Sequence, residues 1–316
     1  MTLHLDRSRD DNREVADLIR DQLRAPDVLI HLHIPKTGGT SLNSLVQHGF
    51  RNNEVFGVEV FDDMAIDVRD KLGLARYNYC LQLQAGYRPE DWRRIRYATG
   101  HVPFGLHRAF AGNVKYFTVI RDPFDRVVSE FFFRIQENNP TRNADRTLSF
   151  EEYVENQHDV HLSNYQVRTL AGSPGLDDKE APVENHHLEQ AKRNISQYFL
   201  AAAPLEDMTD LALIIRKIYG WPMRRLLTEY KNRTRRRLNV NEISPRVRKI
   251  VEESNLFDLE LCDWVRKRFA TQCQLFEPQL SRDRRVLNVV STALNDAGRI
   301  LPWQFRKRLA QIFFYA

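Results

Sequence analysis

The chain alternates between short continuous apolar runs and longer segments in which apolar residues recur at helical spacing. Four continuous runs have the length of strands that are buried on both faces: residues 28–34, 96–99, 115–120 and 198–202. Helical spacing predicts three helices: residues 41–48, a segment that turns Val127, Val128, Phe131 and Phe132 inward, and residues 210–219. Strands that alternate with helices predict an α/β fold, in which helices flank a parallel sheet.

Both ends of the chain are predicted to be helical additions to one central domain. Residues 1–26 form a charged arm with a short helix over residues 14–23, and residues 276–316 form a helical extension. Residues 27–275 then make up the domain itself, which includes an exposed loop rich in Pro, Gly and Asp at residues 172–184.

A further helix is predicted to begin at Ser244 and Pro245. Serine caps the first turn with its hydroxyl oxygen, and proline fits the first helical position because it needs no amide hydrogen there. The helical pattern continues towards Phe269 and is expected to break near Asn255.

Composition narrows the class of protein. The chain has 316 residues, of which 42% are hydrophobic and 28% charged, and this excludes a globally disordered chain. The net charge of +5 suits an anionic ligand.

The three cysteines, Cys80, Cys262 and Cys273, form no CxxC pair, so we expect them to be reduced. The first residues lack an apolar signal region and no run approaches the length of a membrane span, so we expect a cytoplasmic protein.

The strongest local motif is HIPKTGGTSL at residues 33–42, where a strand leads through a glycine-containing loop into a helix. Glycines let backbone amides approach an anion, and a helix N-terminus attracts negative charge. A lysine and several hydroxyls add donors, so the candidate phosphate-binding residues are Lys36, Thr37, Gly38, Gly39, Thr40 and Ser41. The loop is not a Walker A motif, because its lysine precedes the glycines.

A second candidate anion site follows the run at residues 115–120. Arg121 comes directly after this predicted strand, where ligands of α/β sheets collect, and Ser129 lies about two helical turns further on. If the chain reverses at Asp122 and Pro123, Arg121 and Ser129 can reach one phosphate.

Together, HIPKTGGTSL and YFTVIRDPFDRVVS (residues 116–129) resemble the donor-binding motifs of the sulfotransferases. The resemblance is to the carbohydrate branch, which includes heparan sulfate 2-O- and 6-O-sulfotransferases and their bacterial relatives. Residues 99–107, 164–168 and 199–207 also resemble segments of that branch, so the similarity spans about residues 28–270. It implies a P-loop-type parallel sheet and 3′-phosphoadenylyl sulfate as the donor.

The resemblance also implies roles for individual residues. Lys36 would contact the transferring group, the loop as far as Ser41 would hold the 5′-phosphate, and Arg121 and Ser129 would hold the 3′-phosphate. A later basic stretch closes over the nucleotide in the family, and Thr234 and Arg237 match it here.

A base is needed to take the proton of the acceptor hydroxyl, and histidine suits this task at neutral pH. His101 matches the family's Gly-His element and His107 resembles a Gly-Leu-His element of the 6-O branch, so both are candidates, with His101 preferred. His31 and His33 are expected to be packed against the first strand. His158 and His161 lack an evident third ligand, and no metal is expected.

The sequence therefore predicts an O-sulfotransferase that acts on a glycan by in-line displacement. A small alcohol or phenol is the alternative acceptor, and a P-loop-like kinase or a nucleotide-binding protein without catalysis is the alternative class. The basic run at residues 231–237 lacks interleaved aromatic residues, which favours a nucleotide or an acidic acceptor over nucleic acid. Residues 302–316 form a basic amphipathic segment that suits docking on the protein itself, a second subunit or a membrane surface, and the oligomeric state stays open.

Overall fold

The computed structural model describes residues 24–58, 92–135, 148–155, 160–173, 181–223 and 243–300. Several predictions lie outside these ranges: the arm helix at residues 14–23, the basic run at residues 231–237 with Thr234 and Arg237, the segment 302–316, Cys80 and His158.

Five parallel strands form one sheet. They are β1 (Val28–Leu32), β2 (Val55–Val58), β3 (Tyr97–Gly100), β4 (Val114–Ile120) and β5 (Phe199–Pro204). Their order is β2-β3-β1-β4-β5, and each neighbouring pair is parallel. Every residue of β1 and β5 is buried, as expected for strands covered by helices on both faces. The predicted parallel sheet flanked by helices is therefore confirmed, and β2 is an additional strand.

The described helices surround this sheet. They are α1 (Gly39–Gln47), α2 (Pro123–Arg134), α3 (Phe150–Glu155), α4 (Tyr165–Ala171), α5 (Asn185–Tyr198), α6 (Met208–Ile218), α7 (Pro245–Ser254), α8 (Leu256–Phe276) and α9 (Gln279–Ile300). The predicted start at Ser244 is confirmed, because its Oγ accepts from the amide of Val247 at 3.3 Å. The predicted break is confirmed at Asn255, which separates α7 from α8.

Alternate residues of each strand point to opposite faces of the sheet, and each face has its own core. Ile30, Leu32 and Tyr116 pack with α4, α5 and the first half of α8. Leu29 and Phe117 belong to the other face, which packs with α1, α6 and α9. The same separation applies to polar side chains near the strands, so it decides which candidate site residues can meet.

A third apolar cluster joins α2, α3 and α7. Val127 and Phe131 are buried in it, and Val128 and Phe132 pack against it, so the predicted inward face of α2 is confirmed. This cluster fixes α2 against α3 and α7.

Helix α9 is anchored on the central domain. Arg284 forms a bidentate ion pair with Asp210 of α6, with N–O distances of 2.7 and 2.8 Å. Arg216 contacts Asp283 at 2.7 Å. Within the described helices, none combines the length and the apolar character needed to cross a membrane.

Candidate active site

The central strand of the sheet marks the expected position of a ligand site. The chain runs from β1 to β2 and β3 on one side, and then to β4 and β5 on the other. In open parallel sheets, ligands bind at the carboxyl ends of the strands where this reversal occurs. The predicted phosphate-binding segment (residues 36–41, here called the phosphate loop) follows β1, His101 follows β3 and Arg121 follows β4. The strand order thus brings three predicted elements to one edge of the sheet.

The loop between β1 and α1 has a backbone suited to an anion. Lys36 and Gly38 have left-handed φ values of 67° and 80°. The left-handed region costs a lysine about 1–2 kcal/mol, and such conformations cluster at functional sites. Inside the loop, the buried Thr37 Oγ1 donates to the carbonyl of Ile34 at 2.9 Å. Helix α1 then begins at Gly39, and the first amides of a helix favour a bound anion.

Two glycines of the loop also allow close packing. A Cβ on Gly39 would lie 2.0 Å from Cδ2 of His33, and a Cβ on Gly38 would lie 2.6 Å from Cδ1 of Leu205. Carbon atoms at contact are ordinarily 3.5–4.0 Å apart. A side chain at Gly39 would require the ring of His33 to shift, and at Gly38 the positive φ adds backbone strain to the contact with Leu205.

Arg121 connects the second motif to the loop. Its Nη1 donates to the carbonyl oxygen of Lys36 at 3.1 Å. The backbone of Arg121 is held in turn by the side chain of Gln166, with contacts of 2.9 and 2.8 Å. Gln166 lies in the segment 164–168 that resembles the carbohydrate branch, but no role was predicted for it from the sequence.

Helix α2 contributes a side chain that the sequence did not single out. The Nζ of Lys36 lies 3.9 Å from the centroid of the Phe133 ring, a cation–π contact. Ser129 lies one helical turn before Phe133, so both occupy the same face of α2. The face of α2 that carries Ser129 therefore meets the phosphate loop. The spacing of four residues from Ser129 is the signal by which the sequence could have identified Phe133.

Three histidines form a row beside the loop. His33 lies 5.0 Å from His31 and 4.4 Å from His101 between ring centroids. His31 stacks on Phe117 at 4.6 Å, which places this row on the face covered by α1. Burial lowers the pKa of His31 to about 3 and that of His33 to about 2. His31 is buried and His33 is half-buried, in line with the packing role predicted for them, whereas His101 is exposed.

His107 occupies a different environment. Its Nδ1 lies 3.0 Å from the hydroxyl oxygen of Tyr116, and its ring packs against Tyr198 at 4.6 Å. Tyr116 belongs to the core on the face covered by α4 and α5. Burial, followed by the charge of Arg108, lowers the pKa of His107 to about 4. The sheet thus separates His107 from the histidine row.

The structure brings together the loop from Lys36 to Ser41, Arg121, Phe133 of α2 and His101. Ser129 lies on the same helical face as Phe133. The structure does not place His107 in this group, and Thr234 and Arg237 lie outside the described residues. Within the described ranges, no group of three or more His, Cys, Asp or Glu residues could hold a metal ion. The resulting site has positive charge at its centre and an exposed imidazole at its rim.

Comparisons with known proteins show what this chain is similar to. A model of the sulfotransferase family matches residues 24–276. The uronyl 2-sulfotransferases of Mus musculus and Homo sapiens are 26% and 25% identical to this chain over 192 residues. The match covers 54% of this chain and 47% of each relative, so the chain spans about half the length of the curated relatives it matches.

A solved structure also aligns with this chain. It is the crystal structure of a sulfotransferase from Alicyclobacillus acidocaldarius, which covers 75% of this chain and 94% of its own. The TM-score is 0.41 and the sequence identity is 15%.

Proposed function

This chain belongs to the sulfotransferase family, and from this premise we propose that it transfers a sulfuryl group from 3′-phosphoadenylyl sulfate to a hydroxyl group of a carbohydrate. One observation carries the proposal. Arg121, at the end of β4, donates to the carbonyl of Lys36 in the loop after β1. The two motifs that resemble the donor-binding motifs of the family are therefore in contact, although they are far apart in the chain, and this supports one shared donor site.

The donor assignment follows from the contact between these two motifs. The loop and the N-terminus of α1 would hold the 5′-phosphate, because backbone amides and the helix dipole favour a phosphate there. Arg121 and Ser129 would hold the 3′-phosphate, for which the planar fork of arginine is well suited. Lys36 would face the group that is transferred.

His101 is the proposed base. Its ring is in contact with His33, and His33 in turn lies against Gly39 of the loop. As the acceptor oxygen attacks sulfur, its proton passes to the imidazole of His101. The bond between sulfur and the bridging phosphate oxygen breaks, and its electron pair stays on that oxygen, which remains in adenosine 3′,5′-bisphosphate. Lys36 stabilises the charge that develops on this oxygen.

The carbohydrate acceptor is supported by the relatives, which are named as uronyl 2-sulfotransferases. The net charge of +5 is also suited to an acidic glycan. The exposed position of His101 leaves its ring accessible to a large acceptor.

Calorimetry can test the donor assignment. The protein should bind adenosine 3′,5′-bisphosphate in the micromolar range and ATP much more weakly, because only the first ligand carries a 3′-phosphate. Arg121→Ala should raise the Kd for the bisphosphate by about 10- to 100-fold, the usual loss for a hydrogen bond to a charged group.

Arg96→Ala is the matched control, since Arg96 precedes β3 at the opposite edge of the sheet and its Nη1 donates to Arg93 O at 3.0 Å. It removes the same charge and should leave the Kd within about twofold. Equal affinities for ATP and the bisphosphate would contradict the assignment and favour a kinase-like protein.

A further inference from the structure

Resting on the donor assignment proposed above, we propose that Gln166 is a positioning residue of the donor site, which fixes Arg121 by holding both backbone groups of that residue. The side chain of Gln166 would act through Arg121 and would not touch the nucleotide.

The contact between Gln166 and Arg121 is bidentate. The amide of Arg121 donates to Oε1 of Gln166 at 2.9 Å, and Nε2 of Gln166 donates to the carbonyl of Arg121 at 2.8 Å. The pairing of β4 with β5 ends at Ile120, so Arg121 lies beyond the sheet ladder. A side-chain amide thus continues the pairing that the sheet no longer supplies, at the residue proposed to hold the 3′-phosphate.

Gln166 is itself held from the other side. The carboxylate of Asp258 accepts from the amide of Gln166 at 3.1 Å and from the amide of Val167 at 2.8 Å. In return, Oδ1 of Asn164 accepts from the amides of Phe257 and Asp258 at 3.0 and 3.1 Å. Helices α4 and α8 therefore cap each other, and both Gln166 and Asp258 are completely buried.

The network ends in the phosphate loop. Because the backbone of Arg121 is fixed in this way, its guanidinium can donate to the carbonyl of Lys36 while it faces the proposed 3′-phosphate. Only glutamine fits the position by chemistry and length. Glutamate lacks the donor for the carbonyl of Arg121, asparagine is one methylene shorter, and methionine has no donor and only a weakly accepting sulfur.

Gln166→Met tests the proposal, because it keeps the side-chain length and removes both contacts to Arg121. Kd values for adenosine 3′,5′-bisphosphate and adenosine 5′-monophosphate are measured by calorimetry, together with Tm. The Kd for the bisphosphate should rise about tenfold, whereas that for the monophosphate should stay within about twofold. The loop that would hold the 5′-phosphate keeps its own contacts, from Thr37 to Ile34 and from Ser41 to Gly38.

Asn194→Leu is the matched control for a purely structural effect. Asn194 is also buried, and its Nδ2 donates to the carbonyls of Leu170 and Ala171 at 2.8 and 3.0 Å. It therefore supports the opposite end of α4 without touching Arg121. This variant should lower Tm and leave the ratio of the two Kd values as in the wild type.

The outcomes separate the two proposals. A wild-type protein that binds both nucleotides equally overturns the proposed donor. The role of Gln166 alone is overturned if the wild type prefers the bisphosphate but Gln166→Met has the same ratio of the two Kd values. It is also overturned if Asn194→Leu loses as much affinity for the bisphosphate as Gln166→Met does. If Gln166→Met does not fold, the role of Gln166 is tested by amide hydrogen exchange of the wild-type protein with each nucleotide bound. The bisphosphate should slow exchange of the Arg121 amide more than the monophosphate does, and equal protection by both overturns the inference.

Discussion

Gly39→Ala is expected to lower activity strongly by moving His33. The ring of His33 lies against both Gly39 of the loop and His101, the proposed base. The new Cβ would lie 2.0 Å from Cδ2 and 2.4 Å from Nε2 of His33. The shortfall from ordinary carbon contact is about 1.5 Å. The ring of His33 lies between those of His31 and His101, at centroid distances of 5.0 and 4.4 Å, so we expect a displacement of this ring to move His101 as well.

The expected magnitude follows from this geometry. Alanine favours a helix over glycine by about 1 kcal/mol, so helix propensity alone would make the substitution stabilising. Overpacking of a rigid neighbour costs about 1–3 kcal/mol, and this should lower Tm without unfolding the protein. A displacement of about 1 Å at a catalytic group can cost about 100-fold in rate, so we expect kcat/KM to fall by about that factor.

The assay is sulfuryl transfer from labelled donor, with the acceptor concentration varied below and above its KM and Tm measured in parallel. Gly57→Ala is the matched control, because a Cβ on this residue of β2 meets nothing within 4 Å. It should leave both activity and Tm close to the wild type.

A double substitution makes the reasoning refutable. Gly39→Ala combined with His33→Ala removes the ring that the Cβ would strike, so its kcat/KM should equal that of His33→Ala alone. Activity of Gly39→Ala within twofold of the wild type would refute the argument. So would a double variant in which the two losses simply multiply.

Three further predictions concern the base, pH and the acceptor. His101→Ala should reduce kcat by about 10²–10⁴-fold with little change in the Kd for adenosine 3′,5′-bisphosphate, and a comparable loss in His107→Ala instead would transfer the role of base to His107. The lowered pKa values of His31 and His33 mean that the unfolded chain takes up protons below about pH 6.5 while the folded chain does not. Stability is therefore complete above that pH and falls below it, by about 1 kcal/mol for each ring at pH 5.5; urea unfolding at pH 7.5 and 5.5 measures this, and His31→Asn should reduce the difference. The KM for an acidic glycan should rise with salt, because salt screens exposed charges, and preference for a phenol without salt dependence would contradict a carbohydrate acceptor.

Much of the fold could be predicted from local pattern. Four of the five described strands and helices α1, α2, α6, α7 and α8 could be predicted from buried apolar runs and helical spacing, because burial of a strand or helix depends mainly on its own residues. The strand β2 was missed, since it has only four residues and contains Gly57. Helices α3 and α4 were missed because six and seven residues are too few for a clear period. Helix α5 was also missed, although Leu188, Ala191 and Ile195 have helical spacing.

The amino-acid sequence by itself determined the phosphate loop, the Arg121 motif and the family, because each depends on residues that are close together in the chain. The tertiary structure decided which of these residues meet. His101 and His107 lie in one short segment, yet the first joins the row beside the loop and the second packs against Tyr116 on the other face of the sheet. Likewise, Gln166 reaches Arg121 only because α4 and α8 cap each other at the end of β4. Such contacts depend on strand order and helix packing, which arise from burial summed over the whole domain, so no local pattern encodes them.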